Sequence, residues 1–252
     1  MTRPNFFIIG APKCGTSTLA WWLSQHPQVW FSPIKEPHFF NDDSAFRQIR
    51  TQAAYDRLFQ DADEGHRAIG EASTWYLFSE TAVPNIERFT DGAARYIVCL
   101  RAPVRMMPSL HRQLLFSGSE AERDVRWAWA LQEARAQGRD LPPRVEEPAH
   151  LQYRRACAPG AMCQRLLRRV PRERVHFVFI EDPAADPRGT YLEVLRFLRP
   201  GGRNRQNRVH RRQHRARAAF ARLCGADRAG PHASAPSRPA HRQAYPAPAA
   251  EI

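Results

Sequence analysis

Apolar residues along this chain fall into short unbroken runs separated by stretches with helical spacing. The first run, Phe6-Phe7-Ile8-Ile9, lies between Pro4 and Gly10. Four consecutive apolar β-formers without polar alternation predict a strand buried on both faces, as in a parallel sheet. Gly10 to Thr18 reads as a loop; Leu19, Trp22 and Leu23 then recur at helical spacing until His26-Pro27 ends the helix. Ala68 to Glu71 reads as a short strand. Arg95 to Leu100 is a second core strand, with a helix opening near Pro103, and Val175 to Ile180 is a third. Helical patterns cover 53–59, 125–137, 163–170 and 191–198, whereas the proline-rich stretch 141–148 is a loop. Strands alternating with helices predict an α/β fold built on a parallel sheet flanked by helices.

The chain has 252 residues, enough for one such domain with a sizeable core. Its net charge of +13 is unevenly placed: residues 199–252 hold twelve arginines and no lysine against only Asp227 and Glu251. We therefore divide the chain into a domain at 1–198 and a basic tail at 199–252. A composition of Arg, Ala, Pro, His and Gly cannot offset its ordering entropy, so the tail is expected to be disordered, apart from a short Arg-rich helix around 214–223. It is basic enough for nonspecific, salt-sensitive contact with nucleic acid, but it has few aromatic residues to stack on bases, and no stable nucleic-acid partner is expected. The five cysteines form no C-x-x-C pair, which fits a reducing compartment rather than a disulfide framework or a zinc site. Phe6–Ile9 is too short for a membrane span or a signal-peptide core, so the expected location is the cytoplasm.

Gly10 and Gly15 frame a G-x-x-x-x-G-T-S loop between a strand and a helix. Such a P-loop-like junction lets backbone N–H groups and a helix N-terminus converge on a phosphate. The usual ATPase loop has Lys directly after the second glycine; here Thr16 stands there and the lysine is Lys13, inside the loop. The next core strand ends at Arg101, a cation where an ATPase often holds its metal with an Asp, and an Arg suits another phosphate. Glu181-Asp182, after the third core strand, could imitate a metal-binding acid pair, which keeps a P-loop kinase or NTPase as the alternative. An ordinary βα turn is the bland alternative for the loop, and the strand–loop–helix context counts against it.

Phe7-Ile8-Ile9-Gly10-Ala11-Pro12-Lys13-Cys14-Gly15-Thr16-Ser17-Thr18-Leu19, followed by Lys35-Glu36-Pro37-His38-Phe39-Phe40, closely resembles the sulfotransferases that use 3′-phosphoadenosine 5′-phosphosulfate (PAPS). The likeness is strongest to their bacterial and heparan-sulfate-type branch and covers roughly residues 5–198. It implies a nucleotide-binding enzyme that moves a sulfuryl group to a hydroxyl or amine, carbohydrate or glycoconjugate, without a metal. The loop Lys13, Cys14, Gly15, Thr16, Ser17 and Thr18 would bind the 5′-phosphosulfate, with Lys13 stabilising the leaving phosphate. Glu36 would be the general base; a surface Glu paired with Lys35 is the less favoured alternative. His38, two residues on, would support Glu36 or serve as the base itself.

Arg101 and Ser109 match the pair that grips the 3′-phosphate in that family. Pro108 stands just before Ser109 and is expected to disturb the helix there. Glu71 and Ser73 fit a strand-end motif beside the acceptor cleft, with Ala72 where some members have lysine. Trp75, Tyr76, Trp127 and Trp129 are candidates for stacking on the acceptor, or simply core. Helix polarity and Lys13 could lower the Cys14 pKa, although a small residue rather than a nucleophile is the preferred reading. After Leu198 the family's pattern stops. A shifted reading frame in GC-rich DNA would account for that and would leave an impaired enzyme.

Overall fold

The computed structural model describes residues 3–198. Five strands, β1 (Phe6–Gly10), β2 (Val29–Phe31), β3 (Ala68–Ala72), β4 (Arg95–Leu100) and β5 (Val175–Phe179), form one sheet in the order β2-β3-β1-β4-β5. Every pairing is parallel. The helices are α1 (Thr16–Ser24), α2 (Gln52–Asp56), α3 (Ala82–Phe89), α4 (Pro103–Ser117), α5 (Val125–Ala130), α6 (Gln132–Ala136), α7 (Tyr153–Ala156), α8 (Pro159–Arg169), α9 (Glu181–Ala185) and α10 (Pro187–Leu198). This is the α/β fold that the apolar runs predict. β1 is buried along its whole length, and Phe6 to Ile9 each have no exposed surface. Full burial of such side chains stabilises by about 1.5–3 kcal/mol apiece, so the central strand anchors the domain.

Topology then fixes where a ligand can sit. From β1 the chain goes to one side for β2 and β3, then crosses β1 to form β4 and β5 on the other. The carboxyl end of β1 is thus the switch point, where neighbouring connections diverge and leave a crevice. The β1–α1 loop opens directly into it.

Some elements differ from the sequence pattern. β2 has three residues, too few to show a period, and α3 was not anticipated. The single helix expected at 125–137 is two, α5 and α6, meeting at Leu131. α4 runs unbroken through Pro108, contrary to the disturbance expected there. The carbonyl left without its donor is that of Val104; both Val104 and Pro108 are exposed, so water can satisfy it. The expected tail, its short helix and Cys224 lie outside the described residues.

Candidate active site

β1 ends at Gly10, whose φ is +138° and where a Cβ would stand 2.5 Å from the Thr74 carbonyl oxygen. Only glycine lets the chain turn there against the segment after β3. Gly15, with φ +85°, forms the N-cap of α1, and no side chain caps that end. The N–H groups of the first turn therefore lack intrahelical partners. Gly15, Thr16 and Ser17 line a cleft of about 1210 Å³. An uncapped helix start facing a cleft carries partial positive charge and open donors, both suited to an anion.

Lys13 also lines this cleft, and its Nζ donates to Gln113 Oε1 on α4 at 3.1 Å. The wall beside it is the irregular segment after β2, which contributes Lys35, Glu36 and His38. Glu36 Oε1 pairs with Lys35 and accepts the Thr74 hydroxyl at 3.2 Å. Burial alone would raise the Glu36 carboxyl, but His38 and Lys35 outweigh it and hold the pKa at about 2. His38 is 1% exposed; its Nε2 lies 3.5 Å from Glu36 Oε2, and neither ring nitrogen has a hydrogen-bond partner.

Arg47, Arg50, Glu146, Glu147 and His150 complete the far wall. Glu147 ties two segments of it together by accepting the Ser44 hydroxyl at 2.8 Å and the Ala45 N–H at 2.9 Å. His150 stacks on Trp75 with ring centroids 3.5 Å apart, and burial lowers its pKa to about 3, so the ring is neutral. These residues and Gln113 carry no local motif. Only the fold brings them to the cleft.

Of the residues singled out from sequence, Lys13, Gly15, Thr16, Ser17, Glu36 and His38 meet in the cleft. Cys14, Thr18, Arg101 and Ser109 are not among its lining. Arg101 lies just behind the loop: one Nη donates to the Lys13 carbonyl at 3.4 Å, while its Nε is buried and unpartnered. Ser109 is half-buried on α4. The lowered Cys14 pKa anticipated above is overturned. Burial raises the thiol to about 12 despite the nearby Arg101, which leaves the small-residue reading.

Glu71 and Ser73 are wholly buried and do not line the cleft, contrary to their expected place beside it. Tyr76 is core; Trp75 lines the cleft beneath His150, and Trp127 and Trp129 lie on α5, outside the lining. Glu181 and Asp182 are likewise outside it, and Asp182 instead accepts the Phe179 N–H at 3.1 Å.

The family model of the sulfotransferase domain matches residues 3–215. The chain belongs to the sulfotransferase family. The match runs past Leu198, where the resemblance read from the sequence stops. A crystal structure of a sulfotransferase from Alicyclobacillus acidocaldarius is similar, with a TM-score of 0.70 and 29% identity, covering 90% of this chain and 96% of that one. Human carbohydrate sulfotransferase 15 is 60% identical over 37 residues, which is 15% of this chain and 7% of that protein. The membrane-associated sulfotransferase kil1 of Dictyostelium discoideum is 34% identical over 102 residues, 40% of this chain and 21% of that protein. The matches thus span a small part of these curated relatives. Among the described residues, no helix of this sulfotransferase-family chain is long and apolar enough to cross a membrane.

Proposed function

We propose that the protein is a sulfotransferase that transfers a sulfuryl group from PAPS to a hydroxyl or amine, on a carbohydrate or glycoconjugate acceptor. The observation that carries this reading is the convergence of the Lys13 ammonium, the uncapped start of α1 and the Glu36 carboxylate on one cleft. The residues present fit an anionic donor. Besides the open N–H groups, the buried Arg101 Nε lacks any partner and is ready for one. We assign Gly15, Thr16, Ser17 and Thr18 to the 5′-phosphosulfate and Arg101 with Ser109 to the 3′-phosphate, where a guanidinium can bind in bidentate fashion.

PAPS supplies the activated sulfuryl group. Lys13 and the first-turn N–H groups stabilise the electron pair left on the phosphate oxygen as its bond to sulfur breaks. Glu36 takes the proton that the acceptor oxygen or nitrogen loses as its bond to sulfur forms. With a pKa of about 2, Glu36 is ionised at neutral pH but a weak base while Lys35 is paired with it. Lys35 also lines the cleft, so an anion there competes for its ammonium and frees the carboxylate. His38 backs Glu36 from within the protein. The cytoplasmic assignment accords with four free, buried cysteines among the described residues.

Calorimetry with 3′-phosphoadenosine 5′-phosphate in the absence of magnesium tests the donor. Binding to the wild type should weaken at least tenfold in Lys13→Ala and in Arg101→Ala. Failure to bind, or binding that requires magnesium and ignores the 3′-phosphate, would overturn the reading and favour a nucleotide kinase. Transfer of labelled sulfate from PAPS to a panel of hexose and hexosamine oligosaccharides then tests the acceptor.

A further inference from the structure

A carboxylate with no exposed surface, facing no cleft, needs a reason to be where it is, because burying such a group is costly unless it is fully hydrogen-bonded. Glu71 in β3 is such a group. Its Oε2 accepts the Ser73 hydroxyl at 2.7 Å, and its Oε1 accepts the Tyr76 hydroxyl at 2.8 Å and the Tyr55 hydroxyl at 3.3 Å. A hydroxyl has one proton to give. Ser73 and Tyr76 spend theirs on Glu71, so their lone pairs must face elsewhere.

Those lone pairs meet three backbone donors. Ser73 Oγ accepts the His38 N–H at 3.1 Å, and Tyr76 accepts the N–H groups of Phe39 at 2.9 Å and Phe40 at 3.3 Å. Just upstream, the Glu36 N–H donates to the Ala72 carbonyl at 2.8 Å. The segment so held is irregular and adopts left-handed backbone at two non-glycine residues, Glu36 with φ 61° and His38 with φ 48°. Residues other than Gly, Asn, Asp and His seldom adopt that region, so at Glu36 above all the surrounding contacts must fix it.

We propose that Glu71 is a positioning residue for the proposed transfer reaction: by orienting the Ser73 and Tyr76 hydroxyls it holds residues 36–40 in the geometry that turns the Glu36 carboxylate into the cleft. The inference rests on the reading of Glu36 as base. Once ionised, above its pKa of about 7, Glu71 has two acceptor-only oxygens, which receive both hydroxyls and leave both free to accept. An amide at position 71 would keep one acceptor and offer a donor where the second stood. Glu71 thus acts on the reaction through Glu36 and touches no substrate.

The test uses the full chain, the panel oligosaccharide most active with the wild type, and three variants: Glu71→Gln, and the milder Ser73→Ala and Tyr76→Phe. Each should lower kcat at least tenfold while the affinity for 3′-phosphoadenosine 5′-phosphate stays within twofold. In a Glu36→Gln background, the same changes should cost less than twofold, because a base that is absent cannot be misplaced. Losses that add fully to that of Glu36→Gln, or a parallel loss of donor affinity, would overturn the proposal and leave Glu71 a general core residue. If Glu36→Gln by itself leaves transfer intact, the base assignment fails separately. Positioning is then read from amide hydrogen exchange at His38 to Phe40 in Glu71→Gln: faster exchange supports it and unchanged protection overturns it.

Discussion

Glu36 and Glu71 lie on opposite sides of one short segment, and the two sides of that segment treat a carboxylate in opposite ways. On the cleft side Glu36 is about one-third exposed and faces Lys35 and His38, which hold its pKa down at about 2 despite partial burial. On the core side Glu71 is fully buried; burial lifts its pKa to about 7 despite the Ser73, Tyr76 and Tyr55 hydroxyls, and the Glu36 charge adds to the rise. The difference teaches that a shifted pKa near a cleft does not by itself mark the group that does the chemistry. Glu71 has the value closer to that of an ideal base, yet no substrate can reach it. Access and geometry come before pKa in assigning a base.

The sharpest way to break the comparison is to neutralise each acid in turn. Glu36→Gln should lower kcat by ~10²–10⁴-fold, the usual worth of a general base, with little change in thermal unfolding. A rate within a few-fold of wild type would remove Glu36 from the chemistry. Glu71→Ala should show the reverse weighting in stability. It leaves three hydroxyls without their acceptor in the core, at about 1–3 kcal/mol for each group left unsatisfied. Melting should fall by roughly 2–4 °C for each kcal/mol lost, as measured by calorimetry or circular dichroism. Equal melting temperatures for the two variants would erase the distinction between cleft side and core side.

How much of this was readable beforehand follows from where the signal lies. β1, β4 and β5 were legible because a strand buried on both faces writes itself as an unbroken apolar run. β2 was not, since Val29–Phe31 is too short to display any period. Lys13 and Glu36 could be singled out because each lies in a compact local pattern. Gln113, Glu147 and His150 sit in no such pattern and reach the cleft only through α4 and the 141–151 segment, so nothing local announces them. Glu71 and Ser73 stand out together as a strand-end motif, but the hydroxyl cluster around the carboxylate does not. Of the hydroxyls that surround it, those at 73 and 76 come from the one turn that follows β3, whereas Tyr55 arrives from α2, so only that third contact is a tertiary fact. The available hint was a lone acid inside the otherwise apolar stretch Ala68–Ala72.

Removing the ammonium beside Glu36 sharpens the comparison further. Lys35→Ala deletes a positive charge and a donor that favour the ionised carboxylate, so the Glu36 pKa rises. Because the base must be ionised to accept a proton, the acidic limb of the profile of kcat/KM against pH should move to higher pH. The rate per ionised base should rise with its basicity, partly offsetting any loss of anion binding. An acidic limb that stays in place would mean that Lys35 is not what holds Glu36 down.

The smallest expected effect is on stability as a function of pH, where the two acids pull in opposite directions. Glu36 binds protons less readily in the folded protein than at its ordinary value of 4.5, so it contributes stability above 4.5 that is lost as pH falls toward about 2. Glu71 binds protons more readily when folded. Between 4.5 and about 7 the folded state keeps a proton that the unfolded chain has released, so its contribution to stability declines as pH rises through that window and then levels off. Denaturant midpoints taken across the window for the wild type and for Glu71→Gln isolate the second term, since the amide does not titrate. The difference between the two curves should shift steadily against the wild type as pH rises toward 7. A constant difference would mean that the core-side carboxylate has an ordinary pKa, in which case the two sides of the segment are electrostatically alike.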